Sequence, residues 1–364
     1  MLEVNIEKRL PGFTLDVSFS VGREILAVLG PSGSGKTMTL QSIAGLLKPD
    51  EGYIRVNNRV LFDKSTGTNL SPQTRKVGFV FQNYALFPHL TVRDNISYGI
   101  RNRSKPDILT RVTQLMKDMR ITGLENRYPR QLSAGQQQRV ALARAIAPQP
   151  EVLLLDEPFS ALDSMVKERL EVELLNLQKI YDGPIIFVTH NLSEGYKLAS
   201  KIAIYDAGSV IQCDNKVKLV NSPASLTVAR LTGCKNIFTG MISETEGENV
   251  WIDVPEFGTF RTLLHHRDNS CLVKGLQVTF GIRSEHVLHA DSNTENIVRG
   301  TVVANMDEIT SNRCVFHPLC NPETPLEAIF RSGTGNGVLD PGMQADFYFP
   351  PEYIIIIGRF LNET

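Results

Sequence analysis

A glycine-rich run of residues has the composition and spacing of a phosphate-binding loop. The run reads Gly30-Pro31-Ser32-Gly33-Ser34-Gly35-Lys36-Thr37, and it lies between the apolar residues 25–29 and a segment with helical spacing. Glycines let backbone amides wrap around phosphate oxygens, and a helix start adds partial positive charge. We expect Lys36 to reach the β- and γ-phosphates of a nucleotide and the Thr37 hydroxyl to bind Mg²⁺. The alternative, a glycine-rich turn without a ligand, is disfavoured because strand, loop and helix follow in the required order.

Two adjacent carboxylates follow another apolar run. Residues 152–155 are Val-Leu-Leu-Leu, and Asp156 and Glu157 come directly after them. An open α/β sheet binds its ligands at the carboxyl ends of its strands. We therefore predict that Asp156 holds Mg²⁺, directly or through water, and that Glu157 is the general base for an attacking water. A solvated acidic strand end is the alternative, which the nearby phosphate loop disfavours.

The elements that must position these groups alternate along the first 230 residues. Short apolar runs occur at 25–29, 77–81, 152–155, 185–188 and 202–205, and residues 105–130 are mostly helical in pattern. This alternation predicts a largely parallel sheet with helices on both faces. Such a sheet would bring the glycine-rich loop and the carboxylates to one edge.

Composition narrows the class of protein. With 38 basic and 39 acidic residues the net charge is −1, which argues against a nucleic-acid partner. Apolar runs such as 354–357 are too short to cross a bilayer, and the first residues lack the order of a secretory leader, so we expect a cytoplasmic chain. The cysteines are odd in number and form no CxxC pair, which favours free thiols over zinc or disulfides; they are Cys213, Cys234, Cys271, Cys314 and Cys320.

Residues 132–139, Leu-Ser-Ala-Gly-Gln-Gln-Gln-Arg, resemble the signature motif of ATP-binding cassette (ABC) ATPases. Ser133 is expected to cap a helix, with Gln136 completing a capping box. In this family the start of that helix contacts the γ-phosphate held by the opposite subunit's P-loop. The resemblance therefore implies a head-to-tail homodimer in which Ser133, Gly135 and Gln136 bind nucleotide. Ala134 stands where the motif usually has glycine, and its methyl group would crowd the phosphate.

Three further positions match motifs of the same family in the same order. Gln82 matches the Q-loop glutamine, whose amide oxygen binds Mg²⁺; Asp163, in residues 160–163, matches the D-loop at the dimer interface; His190 matches the switch histidine that contacts the γ-phosphate. The resemblance covers residues 1–233, with a helical insertion at about 91–147. It implies an α/β P-loop ATPase with ATP and Mg²⁺ as cofactors and with Glu157, His190 and Gln82 as catalytic residues.

One family feature has two candidates here. The family stacks an aromatic ring on adenine from a loop near the N-terminus, and Phe13 is the aromatic residue in that region. However, Phe13, Leu15, Val17 and Phe19 alternate, which favours packing in the core. Leu10 is the alternative apolar contact for the base.

Residues 234–364 are rich in strand patterns and contain a weak internal repeat. The stretch 236–242 recurs at 296–302, and 277–287 recurs at 344–354. Two such units predict an all-β domain of two small OB-like barrels, with chance similarity as the alternative. The tail resembles the tandem barrels of importers of oxyanions, sugars and iron, where it would either sense a bound oxyanion or serve as a dimerisation module.

The same resemblance indicates a role in import. Residues 83–92 are unusually apolar for a loop, and in importers of this family the loop borders the groove for a membrane-subunit helix; internal packing is the alternative. The implied partners are two integral membrane permease subunits and an extracytoplasmic substrate-binding protein. The implied location is the cytoplasmic face of the cell membrane.

The cargo is predicted less sharply. Residues 58–75 and the tail resemble molybdate importers, so molybdate is the first choice, indistinguishable from tungstate. Sulfate and ferric-iron importers share the architecture. Two other classes are a non-transport ABC ATPase acting on ribosomes or in DNA repair, and an oxyanion-binding regulator with a residual nucleotide fold. The single cassette disfavours the former, and the intact Lys36, Asp156, Glu157 and His190 disfavour the latter.

Overall fold

The computed structural model describes residues 1–160, 163–263, 272–290, 295–331 and 339–357. The chain divides into two compact units, Met1–Lys216 and Val217–Thr364. The predicted positions Ala161, Leu162 and Cys271 lie outside the described residues.

The first unit contains the P-loop. Its strands are β1 (Leu2–Leu10), β2 (Phe13–Val21), β3 (Ile25–Leu29), β4 (Glu51–Val56), β5 (Arg59–Asp63), β6 (Thr68–Asn69), β7 (Val77–Val80), β8 (Val152–Asp156), β9 (Ile185–Val188), β10 (Lys201–Asp206) and β11 (Ser209–Asn215). Its helices are α1 (Lys36–Ala44), α2 (Val92–Ser97), α3 (Lys105–Asp118), α4 (Ala134–Ile146), α5 (Ser164–Ile180) and α6 (Leu192–Leu198).

These strands form one sheet of mixed direction. Its order is β6-β5-β4-β1-β2-β11-β10-β3-β9-β8-β7. The segment β10-β3-β9-β8-β7 is parallel, as predicted. In contrast, β1 runs antiparallel to β2 and β4, because the two-residue turn Pro11-Gly12 joins β1 to β2 and is too short for a parallel crossover. The parallel prediction therefore holds for one half of the sheet.

The parallel half positions the chemistry. Every residue of β3, β8 and β9 is buried, and apart from Asp156 all of them are apolar, as is typical of strands with helices on both faces. The carboxyl ends of these strands lead into Gly30, Glu157 and Thr189. The sheet therefore carries the loop, the carboxylates and the switch histidine at one edge.

The stretch 105–130, predicted to be mostly helical, contains one α-helix and the start of a 3-10 helix. Helix α3 starts at the Ser104 cap, whose side chain accepts a hydrogen bond from the Asp107 amide, and it ends at Asp118. Beyond it, Arg120 has φ 54° and Gly123 has φ 86°, left-handed values that stop a helix. Turns follow as far as the 3-10 helix Pro129–Gln131, so the α-helical part of the stretch is its first half.

The second unit begins with two short helices and continues in strands. The helices are α7 (Lys216–Asn221), whose first residue ends the first unit, and α8 (Leu226–Leu231). The strands are β12 (Cys234–Glu246), β13 (Asn249–Val254), β14 (Gly258–Leu263), β15 (Gln277–Arg283), β16 (Leu288–His289), β17 (Ile297–Asp307), β18 (Ser311–Pro318), β19 (Leu326–Arg331), β20 (Gln344–Tyr348) and β21 (Ile355–Ile357).

The strand order matches the predicted duplication. One sheet is β14-β13-β12-β15-β21, and the other is β19-β18-β17-β20-β16. Equivalent bulges follow Ile242 in β12 and Val302 in β17. However, β16 follows the first copy and pairs with β20, while β21 follows the second copy and pairs with β15. The two copies exchange their last strands and share one hydrophobic core.

Two buried asparagines form hydrogen bonds that also connect the two copies. Asn236 donates to the carbonyl of Glu327 and accepts from its amide, both at 2.8 Å. Asn296, the equivalent residue of the second copy, donates to the Arg261 carbonyl at 2.7 Å and accepts from its amide at 2.8 Å. Each asparagine therefore pairs with the third strand of the other copy.

Candidate nucleotide site

The phosphate loop joins β3 to α1 through left-handed glycines. Gly33 and Gly35 have φ 81° and 98°. At Gly30, a Cβ would lie 2.3 Å from the Tyr205 carbonyl oxygen, so only glycine fits there. The loop therefore needs its glycines both for backbone conformation and for the close approach of β10.

Lys36 is buried inside this loop. Its ammonium donates to the carbonyls of Gly30 at 2.9 Å and Pro31 at 2.6 Å, and it lies 3.4 Å from the Ser34 hydroxyl. Burial lowers the pKa of Lys36, and Glu157 and Asp156 oppose that shift. A cation held at the start of α1 favours an anion such as a phosphate.

Thr37 and Asp156 meet across the sheet edge. The Thr37 hydroxyl donates to Asp156 Oδ1 at 3.0 Å, although 119 positions separate the two residues in sequence. Burial raises the pKa of Asp156; Glu157 also raises it, whereas Thr37 and Lys36 lower it. The hydroxyl and the carboxylate predicted to hold Mg²⁺ are therefore in direct contact.

Glu157 lies between the two residues predicted to assist it. Gln82 Nε2 donates to Glu157 Oε2 at 3.1 Å, and His190 Nδ1 lies 3.9 Å from the same oxygen. The backbone of Glu157 is left-handed, with φ 45°, and its amide donates to the Val188 carbonyl at 3.1 Å. Gln82 turns its amide nitrogen toward Glu157, so its predicted role as a Mg²⁺ ligand through the oxygen stays a prediction.

The signature segment forms a capped helix start. Ser133 accepts from the Gln136 amide at 3.4 Å, and Gln136 Oε1 accepts from the Ser133 amide at 3.0 Å. Asp163 caps α5 by accepting from the Val166 amide at 3.0 Å. A Cβ on Gly135 would lie 2.6 Å from Val166 Cγ1, so α4 and α5 pack closely at this glycine.

A buried carboxylate close to His190 was not predicted from the sequence. Glu194, on α6, accepts from the Thr189 hydroxyl at 2.5 Å and pairs with Lys167 of α5 at 2.5 Å. Thr189 in turn accepts from the Asn191 amide at 3.0 Å. Glu194 therefore anchors both neighbours of His190. Its short spacing from His190 was the available signal, but the partner from α5 is not visible in sequence.

The two candidates for adenine differ in burial. Phe13 packs against the core of the first unit, and its ring lies beside the P-loop, 3.3 Å from where a Cβ on Gly35 would stand. Leu10 is 40% exposed. The alternation of β2 therefore gives Phe13 the packing role, and Leu10 has the more accessible side chain.

The apolar loop after Gln82 is partly internal. Tyr84 and Val92 are buried, whereas Ala85, Pro88 and His89 are exposed. Phe87 packs against Tyr98, with ring centroids 4.4 Å apart and ring planes tilted by 38°.

This fold and site define a P-loop nucleotide-binding protein, and comparison with known proteins gives the family. Residues 14–160 match the family model described as ABC transporter. The chain is 43% identical over 236 residues to the molybdate/tungstate import ATP-binding protein WtpC of Archaeoglobus fulgidus, covering 65% of this chain and 95% of that protein. It is 41% identical over 249 residues to the sulfate/thiosulfate import ATP-binding protein CysA of Halalkalibacterium halodurans, covering 66% and 68%. It is 39% identical over 269 residues to the spermidine/putrescine import ATP-binding protein PotA of Pseudomonas aeruginosa, covering 72% of each.

A solved structure agrees with these relatives. A dimeric ATP-binding cassette in a post-hydrolysis state, bound to ADP and Pi, matches with a TM-score of 0.51 and 29% identity over 59% of this chain and 98% of that chain. The chain belongs to the ABC transporter family, as an ATP-binding subunit of the importer type. It is an ATPase. In the part of the chain that the structure describes, no helix has both the length and the apolar character needed to cross a bilayer.

Proposed function

We propose that this protein hydrolyses Mg-ATP as a homodimer on the cytoplasmic face of the cell membrane and drives the import of molybdate. One observation carries the assignment of the site: groups from distant parts of the chain converge at a single sheet edge. Thr37 meets Asp156 at 3.0 Å, and Gln82 and His190 flank Glu157.

The chemistry of the donors fits Mg²⁺. A hydroxyl and a carboxylate are hard oxygen ligands, and Mg²⁺ usually keeps waters and phosphate oxygens in its remaining positions. Asp156 is only 6% exposed, and its pKa is raised by burial, so a cation would relieve the cost of its charge. When bound, Mg²⁺ would neutralise charge on the phosphate oxygens. Thr37 and Asp156, which are in contact, are its proposed protein ligands, and the amide oxygen of Gln82 is the third ligand that the resemblance implies.

The remaining residues supply binding and proton transfer. Lys36 binds the β- and γ-phosphates. Glu157 accepts a proton from water as the water oxygen bonds to the γ-phosphorus and the bond from that phosphorus to the ADP oxygen breaks. Gln82 and His190 orient the Glu157 carboxylate and the water beside it. The products are ADP and inorganic phosphate.

The homodimer completes each site. Ser133 and Ala134 are exposed at the start of α4, where a partner's γ-phosphate can reach them. A helix start with a satisfied cap still presents partial positive charge. Support comes from the dimeric state of the ADP-bound cassette that this chain resembles. We therefore propose that Ser133, Gly135 and Gln136 bind the nucleotide held by the other subunit's P-loop and that Asp163 lies at the interface.

Cargo and transmembrane partners are proposed from the relatives. Their names specify import of molybdate or tungstate, sulfate or thiosulfate, and spermidine or putrescine. Molybdate is favoured by the first of these, by residues 58–75 and by the duplicated tail. Two permease subunits and an extracytoplasmic binding protein complete the proposed importer. In the second unit, Arg261, Arg299 and Arg313 pair with carboxylates, and the proposal of an oxyanion sensor there is supported by the resemblance.

Two experiments test the proposal. Glu157→Gln preserves shape and a hydrogen-bonding oxygen but removes the base, so turnover of saturating Mg-ATP should fall about 100- to 10,000-fold while nucleotide still binds. Undiminished turnover would show that Glu157 is not the general base. For cargo, the chain is reconstituted with its permease pair and binding protein in vesicles. Molybdate should stimulate ATP hydrolysis and enter the vesicles, and stimulation by sulfate or spermidine instead would replace molybdate.

A further inference from the structure

Arg144 holds the loop that follows Gln82. It lies in the last turn of α4, and its guanidinium donates to two consecutive backbone carbonyls: Nη2 to Tyr84 at 2.8 Å and Nη1 to Ala85 at 2.7 Å. The planar fork of arginine suits a pair of acceptors, and lysine has no equivalent geometry. The same group lies 5.3 Å over the ring of Phe87. Arg144 is therefore committed to this loop by three contacts.

The loop that it holds is strained. Tyr84 has φ 60° and Ala85 has φ 44°, left-handed values that cost a non-glycine residue about 1–2 kcal/mol each. Such a conformation persists only where neighbouring contacts enforce it. The two carbonyls that Arg144 binds belong to these two residues, so its side chain is the contact placed to enforce it.

The strained residues close the turn that presents Gln82. The Tyr84 amide donates to the Phe81 carbonyl at 2.8 Å, which makes Gln82 the second residue of a four-residue turn. From this turn, Gln82 Nε2 reaches Glu157 Oε2 at 3.1 Å. If the backbone at the end of this turn can move, the backbone of Gln82 is no longer fixed, and its side chain is no longer held beside Glu157.

We propose that Arg144 is a positioning residue that fixes the turn Phe81–Tyr84 and thereby holds Gln82 against Glu157. Because Arg144 and Ser133 lie at opposite ends of α4, the contact also links the conformation of this loop to the helix that carries the signature segment. The inference rests on the proposed roles of Glu157 and Gln82 in hydrolysis.

A double-mutant cycle tests the inference in the full-length chain. The variants are Arg144→Met, Gln82→Ala and their combination, and the readouts are kcat and KM for Mg-ATP. Arg144→Met should lower kcat about 10-fold or more, because a misplacement of about 1 Å is costly in an active site, while KM stays within about twofold. The combined variant should be no slower than Gln82→Ala, since residues that act through one another are not additive. Arg144→Lys should recover part of the lost kcat. It replaces Arg144→Met in the double-mutant cycle if the methionine variant does not fold.

Arg111→Met is the matched control. Arg111 is also half-buried and also donates to a backbone carbonyl, that of Ile146 at 3.1 Å, but its contact is with α4 and not with the Q-loop. Its kcat should equal that of the wild type. The inference is overturned by a wild-type kcat in the Arg144 variants, by multiplicative losses in the double variant, or by an equal loss in Arg111→Met. An inactive wild-type chain would instead overturn the proposed function.

Discussion

We predict that position 135 must be glycine because the Val166 side chain leaves no room for a larger residue. The distances at this contact give the expected size of the effect of Gly135→Ala. A Cβ at position 135 would lie 2.6 Å from Val166 Cγ1, whereas ordinary contacts begin at 3.4 Å. In Gly135→Ala, α4 and α5 must therefore separate by about 1 Å, because the β-branched valine in a helix has one strongly preferred rotamer and cannot turn away. Overpacking of this kind costs about 1–3 kcal/mol, partly offset by the better helix propensity of alanine.

The effect on turnover should exceed the effect on stability. A displacement of about 1 Å in the signature helix should lower kcat by up to about 100-fold. Val166→Ala removes the clashing atom and leaves only Val166 Cβ, which is 4.0 Å from the new methyl group. The double variant Gly135→Ala/Val166→Ala should therefore recover most of the lost kcat.

The assay is steady-state ATP hydrolysis, with thermal melting to follow stability, and Val166→Ala alone is the control. Recovery in the double variant identifies the α4–α5 contact as the constraint on Gly135. A double variant as slow as Gly135→Ala would refute this reasoning and place the constraint on the face of α4 that is proposed to meet the nucleotide.

Four further substitutions test other parts of the structure. Asp156→Asn should abolish hydrolysis yet raise the stability of the nucleotide-free protein at pH 7–8 by about 1 kcal/mol, or about 2–4 °C, because it removes a buried charge and keeps the Thr37 hydrogen bond. Because the pKa of Asp156 is raised in the folded protein, its carboxyl group stays protonated to higher pH there than in the unfolded chain. The stability gained by Asp156→Asn should therefore vanish as the pH falls below the ordinary pKa of 3.8. Thermal melting across this pH range measures the change. Asn236→Ala should destabilise the second unit by about 2–4 kcal/mol in denaturant unfolding, because it leaves the partly buried backbone amide and carbonyl of Glu327 without the Asn236 side chain. Asn296→Ala should behave alike at Arg261, and a neutral result for both would contradict the exchanged-strand core. Arg75 is fully buried and donates to the carbonyls of Ser42 and Ile43 at the end of α1. Arg75→Met leaves these two buried acceptors without a donor and should cost about 2–5 kcal/mol in denaturant unfolding, whereas a cost under about 1 kcal/mol would contradict that role.

Local patterns predicted most of the groups that the structure brings together at the candidate nucleotide site. Each of these groups lies within a few consecutive residues, so its chemistry can be predicted without knowing which distant residues it contacts. They are the P-loop, the carboxylates Asp156 and Glu157 at the end of β8, and the Ser133–Gln136 capping box. Strand order then brings Thr37 and Asp156 together, because the carboxyl ends of parallel strands share one edge. The prediction of the sheet's parallel half succeeded for the same reason.

Contacts between distant elements were not predictable from these patterns. In the sequence, Glu194 and Arg144 have the pattern of ordinary helix residues. Their contacts become visible only in the structure, where Glu194 pairs with Lys167 and Arg144 donates to the Tyr84 carbonyl. The repeat in the tail was visible at an offset of 60 residues, but the exchange of β16 and β21 was not, because short edge strands carry little pattern of their own. Within the stretch 105–130, predicted to be mostly helical, the sequence did not show where α3 ends, because the left-handed residues that follow it include the non-glycine Arg120.

The shared nucleotide site is tested most directly by the mass of the Glu157→Gln protein in sedimentation equilibrium, with and without saturating Mg-ATP. If each site is built from two copies, Mg-ATP should convert the 40.5 kDa chain to a species of twice that mass, and Ser133→Arg in the same background should prevent the conversion. A 40.5 kDa species that persists at saturating Mg-ATP, or a nucleotide-induced dimer that Ser133→Arg leaves intact, would contradict the shared site.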